Sequence, residues 1–408
     1  MKILQRGSIT TLCVGSALLC RSSALADDAM TMDQLTKENQ ELKARMEKLE
    51  ALAQKEGLLP SGDTKPVVAP TDVTLSGFVT ASYFYDTSNP KDKSPNAYLW
   101  NRHSESFTLN KIKLVLASPP VERSADEWHA GFRASLIWGE DAPYVNTGNP
   151  MPGFEPVREA YVELNAPIGS GLDIKAGQLI SLLNFESGDG GAANPNFSQG
   201  NQWFYTGNGP SAGVQLDYQF TDMIDLKVRV QNGMYAGPID NNDAKTVMAS
   251  LGLNPDSKTW VNFVGFAGKE NATFDLRGGS VLGGRQFTDK LGTGFEADWF
   301  HFDLKNGGND DDLWSIGGWV WYDFTAKVGI AFRGEYLNDN NGFGTSGLLG
   351  FPANNGSQIY GFTTTLNWKP TPSIKIQPEV RVDRTDVKNG FDGTKTRVII
   401  GAGASYLF

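Results

Sequence analysis

The sequence predicts an all-β protein: a transmembrane antiparallel up-and-down β-barrel of about sixteen strands, preceded by a helical coiled-coil segment. Three observations predict it. From residue 72 onward, apolar and polar residues alternate in run after run, with no segment of helical period and useful length. After the opening segment there is no uninterrupted apolar stretch of ~18 residues, so no spanning helix is available. The final run, 394–408, alternates to its last residue and ends on Tyr406 and Phe408, as expected of a closing barrel strand at a membrane interface.

Composition agrees. The 408 residues are 40% hydrophobic yet 20% charged, with 46 glycines and 23 phenylalanines, a balance that suits a barrel because every second strand residue can face water. A net charge of −10 argues against a nucleic-acid partner. Cys13 and Cys20 both fall within the first twenty residues, so a chain processed beyond them has no thiol for a disulfide or a metal.

Residues 1–26 read as an export signal: Lys2 and Arg6, a short apolar core, then Ala24-Leu25-Ala26 as a small-x-small cleavage pattern. Residues 27–56 carry heptads. Met32, Asn39, Met46 and Ala53 share one seam position and Leu35, Leu42 and Leu49 the other, predicting an oligomerising periplasmic coiled coil whose seam asparagine favours one register. Three prolines make 57–71 a semi-extended linker.

The barrel is expected over 72–408. Clear strands fall at 73–85, 107–117, 128–138, 157–164, 172–178, 212–220, 224–231, 328–336, 360–368 and 374–383. In 224–231, for example, Ile224, Leu226, Val228 and Val230 alternate with Asp225, Lys227, Arg229 and Gln231. Tight turns are marked by Phe220-Thr221-Asp222, Phe287-Thr288-Asp289, Phe324-Thr325-Ala326 and Lys369-Pro370-Thr371-Pro372. Long polar links at 87–104, 140–155, 180–209, 236–243 and 338–357 alternate with them, as periplasmic turns and outer loops do. Keeping that alternation requires a weaker, glycine-rich strand at 274–287, which brings the count to about sixteen with both ends on one side. Aromatic belts are expected from Tyr83, Tyr85, Trp100, Trp128, Trp138, Trp260, Trp314, Trp319, Trp321, Tyr322, Trp368, Tyr406, Phe408 and the 203–205 cluster.

LSGFVTASYFYD (75–86), KAGQLISLLNFESGDGGAANPNFSQ (175–199), VRVQNG (228–233) and the terminal ASYLF (404–408) resemble outer-membrane porins, in particular the putative β-barrel porin-2 family of Gram-negative bacteria. The resemblance implies a homotrimer in the outer membrane, surrounded by lipid and lipopolysaccharide. It also implies insertion by the barrel assembly machinery through the C-terminal strand, with Tyr406 and Phe408 as the signal. In sixteen-stranded porins the third outer loop folds into the lumen, which makes 180–209 the expected constriction. Glu186 and Asp189 would give it an acidic side, facing a basic wall of Arg133, Lys227, Arg229, Arg333 and Arg381.

The expected function is a water-filled channel for passive diffusion of small hydrophilic solutes and ions, with a mild cation preference because the chain is acidic. Two alternatives stand beside it. One is a substrate-specific anion or saccharide channel, in which Trp319 and Trp321 line a sugar path if they face inward. The other is a structural or adhesive barrel linking the outer membrane to the cell wall through the coiled coil. His103, His129 and His301 adjoin no serine or metal-ligand spacing, so neither an enzyme nor a cofactor is expected.

Overall fold

Strict alternation lets every backbone amide pair with a neighbouring strand while one face of each strand meets lipid and the other the interior. The computed structural model realises this as sixteen strands. They are β1 (Thr74–Asp86), β2 (Ser106–Ala117), β3 (His129–Trp138), β4 (Val157–Ala166), β5 (Leu172–Leu179), β6 (Ser211–Thr221), β7 (Ile224–Gln231) and β8 (Thr246–Asp256), followed by β9 (Thr259–Lys269), β10 (Phe274–Gln286), β11 (Leu291–Leu304), β12 (Asp311–Asp323), β13 (Val328–Asp339), β14 (Ser357–Thr371), β15 (Ile374–Thr385) and β16 (Thr396–Leu407). Each pairs antiparallel with the next, and β1 pairs with β16 to close the barrel. Phe408 and Gly77 exchange backbone hydrogen bonds of 2.9 and 3.1 Å across this seam. The terminal residue therefore leaves no sheet edge open.

The structure describes residues 73–408 except 99, 147–152, 241 and 306; upstream it describes only Lys37, Gln40, Lys43, Ala44, Arg45 and Lys48, which are helical. The export signal, the linker and the seam residues Leu35, Asn39, Leu42, Met46 and Leu49 lie outside the described residues.

The glycine-rich strand exists as β10, paired along its whole length with β9 and β11. Strict alternation of short and long connections does not hold. The link between β9 and β10 spans only 270–273, on the side of the long loops, whereas the one between β2 and β3 spans 118–128 on the side of the short turns.

The outer face is apolar and exposed, with Val79, Val162, Phe263, Phe295, Ile316, Phe332, Phe362, Val380 and Ile400 all facing away from the lumen. A continuous surface of this kind is stable only against hydrocarbon. Tyr83, Tyr85, Trp128, Trp138, Trp314, Tyr322, Trp368, Tyr406 and Phe408 lie on it as expected of belt residues. Trp100, Trp260, Trp319, Trp321 and the 203–205 cluster do not. Trp100, Tyr205 and Trp319 are buried, and the rings of Trp203, Trp260 and Trp321 pack on lumen residues.

The lumen is not uniformly wet. Toward the long-loop end, Phe343 and Phe351 of 340–356 and Phe391 of 386–395 pack against inward Phe300, Phe302, Leu313, Leu337 and Ile359. These two loops fold over one side of the mouth and bury apolar surface there instead of extending into solvent.

If the outward face meets lipid, Ile316→Arg, in the middle of β12, is expected to destabilise the barrel by about 2–4 kcal/mol. Denaturant unfolding in phospholipid vesicles reads this, and a neutral effect would show that the face is not in hydrocarbon.

Candidate functional site

Residues 180–210 do not extend outward. They turn into the barrel and coat the inner faces of β11–β16 and β1, with a 3-10 turn at Gly191–Ala193 and one short helix, α1 (Asn201–Tyr205). A non-strand segment placed there has backbone N–H groups that neither a sheet nor bulk water can satisfy. Wall carboxylates accept them. Phe185 N donates to Glu296 at 2.8 Å, Phe197 N to Glu379 at 2.7 Å and Gln202 N to Glu335 at 3.0 Å. Glu186, on the loop itself, accepts from Gly200 N at 2.7 Å. Asp298 binds the Gln202 side-chain amide at 2.8 Å and the Thr206 hydroxyl at 2.7 Å.

So many buried carboxylates demand counter-charge. Arg333 lies at the centre. Its Nη1 donates to Glu186 at 2.7 Å and to Ser198 O, its Nη2 donates to Thr363 at 2.9 Å, and Glu335 lies 3.0 Å from Nε. Trp319 adds an indole N–H to Glu186 at 3.1 Å. Arg381 donates to Gln199 O at 2.6 Å, to Asn201 at 2.9 Å and to Asp383, which Arg397 also holds at 2.9 Å. Glycines admit the loop's rings: a Cβ at Gly403 would stand 1.9 Å from the Phe197 ring, and one at Gly294 2.1 Å from that of Phe185.

The expected site residues thus divide. Glu186, Arg333 and Arg381 meet one another's networks beneath the loop, not across open water, because the loop lies on the basic residues expected to face it. Arg229 is also an anchor, donating to Ile180 O at 2.7 Å and to Gln215. Asp189 bonds to Lys113 and lies 3.6 Å from Arg158. Burial alone would raise its carboxyl, but Lys113 and Arg158, with Lys111 behind, outweigh burial and hold it below the usual carboxylate range. Arg133 and Lys227 remain partly exposed, paired with Glu159 and Asp225 respectively.

Simple alternation missed Arg158 because it sits at a bulge. The register passes from Ser135↔Glu159 to Leu136↔Val157, so both Arg158 and Glu159 are buried on the lumen side. Arg123 was missed because it belongs to the long link 118–128, from which it reaches back to bond Asp173.

Two consequences are measurable. Arg333→Ala leaves Glu186 and Glu335 without their shared cation and is expected to cost about 3–5 kcal/mol, read as a lower unfolding midpoint together with noisier single-channel current. The Asp189 contribution has the sign of a depressed carboxyl: full above the ordinary value of ~3.9 and lost as pH falls through the folded value. Its clamp is therefore expected to hold across pH 5–8; the wild-type current is expected to change only at lower pH, and Asp189→Asn, which has no carboxyl to protonate, is expected to lack that change.

Residues 72–408 match the family model described as "Putative beta-barrel porin-2, OmpL-like". A search of curated proteins finds no match. Among solved structures, in-vitro folded OmpT, an outer membrane protein of Vibrio cholerae, is similar with TM-score 0.56 and 12% identity, covering 84% of this chain and 100% of that one. The anion-selective porin from Comamonas acidovorans gives TM-score 0.55 and 10% identity over 83% and 99% of the two chains. The outer membrane channel DcaP of Acinetobacter baumannii gives 0.51 and 13% over 83% and 97%. At these identities the likeness is one of fold.

Proposed function

The chain belongs to the putative β-barrel porin-2 family and is an outer-membrane channel; from that premise we propose that small hydrophilic solutes and ions diffuse passively along the β3–β7 side of its lumen. The observation that carries this reading is the division of charge between the two halves of the wall. Under the inner loop, the side chains of Arg333 and Arg381 are 0% and 3% exposed, and that of Arg397, capped by the Asn96 and Ala97 carbonyls of the first long link, is 0% exposed. On the opposite half Arg158 and Arg229 are buried where the ends of the loop reach them, but the side chains of Arg133, Lys175 and Lys227 are 36%, 26% and 27% exposed. Charges that no protein group covers are hydrated, so the wet path runs past them.

The partly exposed charges nearly balance: Arg123, Arg133, Lys175 and Lys227 against Glu163, Asp189, Asp217 and Asp225. Interleaved opposite signs make a polar path without a single-sign ring, which favours hydrated polar solutes over apolar ones and gives little ion preference. This replaces the mild cation preference inferred from net charge, because much of the excess acid is capped beneath the loop. Export through the periplasm and assembly as a homotrimer complete the reading. One solved relative of the fold, an OmpT of Vibrio cholerae, is described in a trimer form.

Planar-bilayer recording tests the proposal. Wild-type protein is expected to give open channels with a cation-to-anion permeability ratio near unity. Arg133→Glu, on the wet half, is expected to shift the reversal potential toward cations; an unchanged potential would place Arg133 off the ion path.

A further inference from the structure

At the turn end of the lumen, between the inner loop and the ends of β8–β10 and β12, lies a cavity of about 710 Å³ whose lining includes Phe185, Trp260, Trp321, Asn254, Gln286 and Lys258. Its aromatic side is built by register. Trp260 of β9 stands opposite Gly284 of β10, Gly284 opposite Gly294 of β11, and Gly294 opposite Trp319 of β12. The two glycines form a trough between two indoles, and Phe185 of the inner loop lies in it. Its ring is parallel to Trp260 within 3° at a centroid separation of 6.0 Å and stands 4.6 Å from Trp319. One step toward the turns, Gln286, Gly292 and Trp321 form the next row, with Trp321 tilted 33° to Phe185 at 6.3 Å. Trp319 is sealed beneath the loop and gives its N–H to Glu186. The indole N–H groups of Trp260 and Trp321 have no protein acceptor among the described residues.

We propose that this vestibule is a saccharide-binding subsite, with Trp260, Phe185 and Trp321 receiving the apolar C–H face of a sugar ring. The chemistry of the lining favours this class. Aromatic faces carry a negative quadrupole that attracts the weakly positive C–H groups of a pyranose, while hydroxyls at the ring edge need donors and acceptors. The two indole N–H groups supply donors, and the side-chain amide oxygens of Asn254 and Gln286 supply acceptors, their NH2 groups being given to Asp225 at 3.2 Å and to Thr288 O at 2.6 Å. The volume fits one or two sugar units, within the common range for small-molecule sites. An anionic ligand is disfavoured, because Arg285 is engaged by Asp256 at 3.4 Å and Thr259 at 2.6 Å, leaving only Lys258 as an unpaired cation among the described residues of the lining.

The inference rests on the channel reading of the lumen and deepens it by naming a solute class. Ion current through the full chain in planar bilayers, titrated with maltose, tests it. Saturable current block in the millimolar range is expected, with faster onset when maltose is added on the turn side. Trp321→Ala is expected to weaken the block about tenfold, the loss of roughly one aromatic contact. Trp321→Phe, which keeps a ring, is expected to retain most of it. Intrinsic tryptophan fluorescence of the detergent-solubilised chain, titrated with maltose, reads binding without conduction. A conducting channel that maltose neither blocks nor perturbs in fluorescence overturns the subsite alone, as does a block unchanged in both Trp260→Ala and Trp321→Ala. Absence of any ion current would overturn the channel reading.

Discussion

The amide groups of residues 180–210 set the terms for the whole interior. Once a peptide segment is folded inside a barrel, each of its N–H groups must find an acceptor that water would otherwise provide. The wall provides carboxylates, Glu296, Glu335 and Glu379, spread over three strands, and charge-assisted bonds of this kind are short and strong. Arg333 is the counter-ion of Glu335 and of the loop's Glu186, Arg381 that of Asp383, and both arginines also bond to loop carbonyls and so close the network. Such a network adds specificity of placement more surely than it adds stability, since burying the charges offsets much of what pairing returns.

The same accounting governs the outside. In hydrocarbon no backbone group can be left unpaired, and the sixteen-strand circuit sealed by Gly77 and Phe408 satisfies that condition around the circumference. Two layers of backbone, one facing lipid through its side chains and one packed against the lumen wall, thus share a single requirement. The partly exposed charges that neither layer covers lie along β3–β7, and the proposed solute path follows them. The charges there stay partly exposed because most of the loop's network lies against the opposite wall.

Much of this was legible in the sequence. Period-two alternation located β1–β7 and β13–β16, and the tight-turn phrases placed β10 even though Gly278, Gly279, Gly283 and Gly284 dilute its pattern; β8, β9, β11 and β12 entered only through the strand count. The inner position of 180–209 came from resemblance, not from any residue pattern. Other features lie outside what alternation can encode. A bulge at Arg158 adds one residue and puts two consecutive side chains, Arg158 and Glu159, on the lumen side, which strict alternation does not allow. Indoles such as Trp260 and Trp321 are good strand residues on either face, so a belt could not be told from a lumen shelf until register set them beside glycines. The buried state of Arg333 and Arg381 depends on which wall the loop lies against, a tertiary fact with no local signature.

Cysteine accessibility tests the asymmetry most directly, because the only native cysteines, Cys13 and Cys20, lie in the segment read as an export signal. Single cysteines at Glu163 and Lys175, on the wet half, and at Thr363, beneath the loop, can each be exposed to a water-soluble charged thiol reagent during recording. The account predicts rapid modification and a stepwise fall in current for the first two and no reaction at Thr363. Equal, rapid modification of Thr363→Cys would contradict it, since the loop would not then be held against that wall.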